Sequence, residues 1–88
     1  MSCAQRIHAL VQRFGDGVSG DDLAYVADTA ELGECCLALE ELLDLLGNMN
    51  IAVSPEDWDA IAVEIRYFEC GEDRMEATKA YLERNQGS

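Results

Sequence analysis

Ser54-Pro55-Glu56-Asp57-Trp58-Asp59-Ala60-Ile61-Ala62-Val63-Glu64-Ile65 is the stretch whose reading decides the fold class. Ser is a strong N-cap, Pro at the first helical position already holds the helical φ, and two acids in the first turn face the positive end of the helix dipole. Trp58, Ile61, Ala62, Ile65 and Phe68 then recur every three or four residues, the apolar stripe of an amphipathic helix ending at Gly71. Upstream, 48–53 reads as a short extended connection. Before it, Cys36, Leu39, Leu42, Leu43 and Leu46 predict a buried stripe on a third helix over 34–46, closed by Gly47. Leu23, Val26, Ala27 and Ala30 predict a second helix, opened by the Ser19/Asp22 capping pair and ending near Gly33. Ile7, Leu10, Val11 and Phe14 predict a first, capped by Ser2 and stopped by Gly15. Downstream, Asp73 and Glu76 open a last helix packed through Met75, Thr78 and Leu82, and 85–88 reads as a frayed tail. Ile51-Ala52-Val53 is too short to build a sheet. The expectation is one all-α domain, a small bundle of four to five helices, ordered over 1–84.

Charge narrows the function. The chain has 88 residues, 49% of them apolar, enough for one modest core and too many for a disordered acidic tail. Eighteen acids against six bases leave a net charge of −12, which repels nucleic acid and anionic lipid. No apolar run is long enough for a transmembrane helix. Met1 to His8 carries no signal-peptide apolar block, so a cytoplasmic location is expected. The distribution is uneven: residues 14–65 contain thirteen acids and no Lys or Arg. Such a segment cannot neutralise itself through neighbouring i,i+4 pairs. A field of that size is either a solubilising surface or is kept for a basic partner.

Cys3, Cys35, Cys36 and Cys70 follow no disulfide framework, two of them are adjacent, and no C-x-x-C pair is present. They read as four reduced thiols, which again suits the cytoplasm. A zinc site completed by His8 has no supporting spacing. Gly15, Gly17 and Gly20 spell G-x-G-x-x-G, but a helical stripe precedes them where a dinucleotide site needs a strand. Asp16, Asp21 and Asp22 miss the EF-hand spacing. His8, the lone histidine, has no Ser or Cys partner in the pattern of a nucleophilic site. Trp58 lies on a core stripe. A bundle this small encloses no evident cleft, so neither catalysis nor a cofactor is expected, and a small-molecule ligand is not favoured.

Leu32-Gly33-Glu34-Cys35-Cys36-Leu37-Ala38-Leu39-Glu40-Glu41-Leu42, continuing into Asn50-Ile51-Ala52-Val53-Ser54-Pro55-Glu56-Asp57-Trp58 and Ile61, resembles the MafI-type family of immunity proteins. Those are small, acidic, helical bacterial proteins encoded beside secreted polymorphic toxins, and the likeness spans roughly residues 22–82. It implies a cognate toxin as partner. Two positions depart from the family: Gly47-Asn48-Met49-Asn50 replaces an aromatic-acidic turn, and Cys35 stands where an aromatic is common. A basic, nuclease-type toxin would meet carboxylates where phosphates sit. The candidate partner-binding residues are Glu31, Glu34, Glu41 and Asp44 around the third helix, with Asp57 and Asp59 at the start of the fourth. Two alternatives stand beside this: an acidic adaptor subunit, and an acyl-carrier-like module in which Thr29 replaces the modified serine.

Overall fold

The structure, a computed structural model, describes residues 2–86. Five α-helices follow one another: α1 (Cys3–Val11), continued by a 3-10 turn over Gln12–Phe14, α2 (Gly20–Glu31), α3 (Cys35–Asn48), α4 (Pro55–Tyr67) and α5 (Asp73–Gln86). The described residues contain no strand. The expected caps form. Ser2, Ser19 and Ser54 accept hydrogen bonds on their hydroxyls from the amides of Gln5, Asp22 and Asp57, each three residues on. At the first of these the Gln5 side chain also reaches back to the Ser2 amide, completing a capping box.

Helix α3 packs against each of the other four helices. Cys35, Ala38, Leu39, Leu42, Leu43 and Leu46 bury its inner face against Ile7 and Leu10 of α1, Val26 and Ala30 of α2, and Ile61 and Ile65 of α4. Helix α5 is held more lightly, by the burial of Met75 and Leu82. Gly47 is no terminator. It lies within α3, where a Cβ would meet Thr78 Cγ2 of α5 at 3.6 Å. Helix α5 itself runs to Gln86, whose side-chain amide donates to the Asn50 carbonyl. The remainder of the expected tail, Gly87 and Ser88, lies outside the described residues.

Three helices end alike. After α2, α3 and α4 the chain enters the left-handed region at Gly33, Asn50 and Glu69, with φ of 84, 52 and 57°. In each case the next amide bonds back to the carbonyl five residues earlier: Glu34 to Thr29, Ile51 to Leu46, Cys70 to Ile65. This is the Schellman motif, and its apolar closing contact explains why Ile51 and Cys70 stand just past αL residues that are not glycine.

The cysteines correct the sequence reading. Cys3 bonds to Cys35, and Cys36 bonds to Cys70, with Cα separations of 6.0 and 5.5 Å. No free thiol is left. Adjacent residues on a helix point about 100° apart. Cys35 therefore turns into the core toward α1, and Cys36, expected on the buried stripe, turns outward toward the α4–α5 connection. Adjacency forbids Cys35–Cys36 pairing but not pairing with two different segments. The pairing also removes the thiol argument for a reducing compartment. No helix among the described residues is long and apolar enough to cross a membrane.

Glu69 is the least suited of the three αL residues. Glu69→Gly relieves the left-handed strain and raises unfolding stability by about 0.5–1 kcal/mol, while Gly33→Ala lowers it by about 1 kcal/mol. No atom lies within 4 Å of a Cβ at Gly33, so that loss is conformational and not steric. Chemical denaturation of the two variants checks both signs.

Candidate functional site

The base-free middle of the chain is partly neutralised from its ends. Arg6 of α1 forks onto Glu64 of α4 at 2.6 and 3.2 Å, with its guanidinium carbon 3.7 Å from the centroid of the Tyr67 ring. Arg13 meets Asp57 at 3.1 Å, and Arg74 of α5 meets Asp44 at 2.8 Å and Glu40 at 3.8 Å. Arg66 pairs with Glu72, and the imidazole of His8 lies 3.1 Å from Glu31. Six of the eighteen carboxylates are thus engaged, and the other twelve have no cation of the described residues within 4 Å. Among the described residues, Lys79 and Arg84 have no carboxylate in that range.

The six candidate residues divide into three places. Glu31 and Glu34 flank the α2–α3 corner, both exposed, with Glu31 drawn toward His8. Asp57 and Asp59 stand at the start of α4. There Asp57 faces Arg13 across a hollow that Asp16, Gly17 and Asn50 also line. Glu41 and Asp44 come together midway along α3, where they share a hollow of about 220 Å³ with Tyr25, Leu45 and Asn48. Asp44 and Asn48 also form one wall of a neighbouring groove of about 510 Å³, whose far side carries Arg74, Thr78 and Tyr81 of α5. Glu34 is the residue before α3, so of the candidates only Glu41 and Asp44 stand within that helix.

This α2–α3–α5 face has two features beyond charge. One Glu41 oxygen, Oε1, is closed off from solvent and has no hydrogen-bond partner. An acceptor so placed has lost its water and gained no hydrogen bond within the chain in return. Tyr25 and Tyr81 stand on either side, 63% and 46% exposed. The sequence reading passed over both tyrosines. Their signal was legible: each falls off the apolar stripe of its helix, and a solvent-facing aromatic is more often a contact residue than a packing one. Thr29 sits near the end of α2 with its hydroxyl donating to the Tyr25 carbonyl. Among the described residues no three His, Cys, Asp or Glu side chains converge to hold a metal ion.

No family model, no curated protein and no solved structure matches this chain.

Twelve uncompensated carboxylates make ionic strength a stabiliser. Raising NaCl from about 10 mM to about 0.5 M shortens the screening length from ~30 Å to a few ångström. The melting temperature should climb by about 5 °C, the effect of roughly 1 kcal/mol in a domain of this size. A melting curve indifferent to salt, or lowered by it, would mean that the six ion pairs outweigh the repulsion.

Proposed function

We propose that this chain is an immunity protein of the MafI type, which binds and neutralises a basic, nuclease-type secreted toxin through the α2–α3–α5 face. The observation that carries the reading is the meeting of Glu41, which no described cation pairs, and Asp44, which holds Arg74, with two exposed aromatic rings and one desolvated, unpartnered carboxylate oxygen. Charge alone marks much of this molecule. Two exposed rings together with a partnerless buried oxygen mark this face. An incoming Arg or Lys donates to Glu41 and Asp44 while Tyr25 and Tyr81 cover its stem and cationic head. Carboxylates so placed occupy a nuclease's phosphate subsites and exclude its substrate. The surrounding field lifts the association rate well above the ~10⁵–10⁶ M⁻¹s⁻¹ of neutral pairs, which suits an inhibitor that must intercept a toxin on arrival.

The reading gives the chain no catalytic role and a cytoplasmic place of action. Of the two departures from the family, the one at Cys35 lies outside any interface: that residue is 6% exposed and bonded to Cys3. The other, around Met49, is on the surface and available for toxin choice. The carrier alternative has less support, since the Thr29 hydroxyl is turned back onto its own helix.

Co-expression with a basic toxin encoded beside this chain tests the proposal. Tyr25→Ala with Tyr81→Ala, and separately Glu41→Gln with Asp44→Asn, should each weaken binding about tenfold or more. The tyrosine pair should leave the melting temperature nearly unchanged, because both rings are exposed. Leu43→Ala serves as the contrast: it removes about 2–5 kcal/mol of stability and reduces protection only as far as folding falls. Full protection by the folded four-residue variant would refute the assignment of this face.

A further inference from the structure

We propose that the Cys36–Cys70 disulfide is a thiol–disulfide exchange site for small cationic or neutral thiols, and that Cys3–Cys35 is a structural staple which the same thiols leave closed. The inference does not depend on what the chain binds. The two bridges start from adjacent residues of α3 yet meet opposite surroundings. Cys35 is in the core, and its partner Cys3 is half-buried, with its sulfur 3.6 Å from the Ala30 carbonyl oxygen. Helices α1, α2 and α3 close over that bond. Cys36 is exposed and Cys70 half-buried, and their bond lines an open hollow of about 440 Å³ between α3 and the α4–α5 connection. Exchange requires a thiolate to reach a sulfur along the S–S axis, so access decides which bridge reacts.

The hollow also selects by charge. Glu40, Glu69 and Asp73 line it against the single guanidinium of Arg74, which is already drawn to Asp44 and Glu40. With the net charge of −12 behind them, these carboxylates repel an anionic thiol and attract an aminothiol. In the first step the thiolate attacks Cys36 Sγ and forms a mixed disulfide. The Cys36–Cys70 bond breaks, and Cys70 leaves as a thiolate that takes a proton from water. A second small thiolate then attacks the outer sulfur of the mixed disulfide. It releases a small symmetrical disulfide and the Cys36 thiolate. The two electrons come from the two small thiols. The bridge is the covalent tie between the first turn of α3 and the segment entering α5, whose buried side chains are Met75 and Leu82. Opening it loosens α5 and leaves α1 stapled.

For the test, the protein is oxidised with cystamine, and closure of both bridges is confirmed by intact mass. It is then exposed at low salt to 2-mercaptoethylamine or 2-mercaptoethanesulfonate at equal thiolate concentration. Samples are quenched with iodoacetamide and mapped by peptide mass. Cys36 and Cys70 should be labelled about tenfold or more faster than Cys3 and Cys35. The amine should outpace the sulfonate by about tenfold, with the ratio shrinking as salt is added. Amide hydrogen exchange should then quicken in α5 and hold steady in α1. Failure of either bridge to form, equal labelling of the two pairs, a sulfonate as fast as the amine, or an α5 unaffected by opening would overturn the inference.

Discussion

Everything in this fold is arranged around the need to cover α3. Six of its residues are buried, and they are spread widely enough that one neighbour cannot bury them. Four helices take up the task, and the bundle is what results. The covering is complete along the inner face: Ala38, Leu42 and Leu46 are all fully buried. What α3 leaves to solvent is a polar strip of Glu40, Asp44 and Asn48, spaced four residues apart, with Glu41 half-buried beside it and Cys36 and Leu37 exposed at its N-terminal end. The strip that carries the candidate site is thus the complement of the core. On the proposed reading a substitution there changes recognition, while one at Leu43, a residue away from Asp44, changes stability.

The second constraint is the supply of positive charge. With no Lys or Arg between residues 14 and 65, compensation has to come from distant parts of the chain. Arg6 of α1 and Arg13 of the 3-10 turn after it supply it to α4, and Arg74 supplies it from α5 to α3. Of these only Arg6–Glu64 is well shielded, and it is forked and stacked on Tyr67, the geometry in which an ion pair contributes more than its exposed counterparts. The others orient helices more than they stabilise them. The same scarcity leaves most carboxylates unmatched. One shortage therefore has two effects: the bases tie the helices together and leave twelve carboxylates with no described cation beside them.

The sequence made the helices legible because their signals are local. The stripes of α2 and α4, and the Ser19 and Ser54 caps, stand where periodicity and capping chemistry put them. Helix ends were less legible. Gly47 and Gly71 look like stops, but the chain turns at Asn50 and Glu69, because a Schellman turn is selected by the apolar residue after it as much as by the residue within it. The cysteine pairs were not legible at all: each joins residues more than thirty positions apart, and only the packed bundle brings them into reach. The candidate site was half legible. Helical spacing places Glu41 and Asp44 together. It cannot reveal that Asp57 and Glu31 face Arg13 and His8 of another helix, or that an oxygen of Glu41 is buried without a donor.

The central claim is that negative charge on this molecule becomes a binding site only where Tyr25 and Tyr81 flank Glu41 and Asp44. A titration of the ¹⁵N-labelled chain with a hexa-arginine peptide at low ionic strength tests it most directly, since the peptide offers cationic forks and no shape of its own. Amide shifts should concentrate on Tyr25, Glu41, Asp44, Asn48 and Tyr81. Shifts spread evenly over all the free carboxylates, or gathered at Asp57 and Asp59, would contradict it.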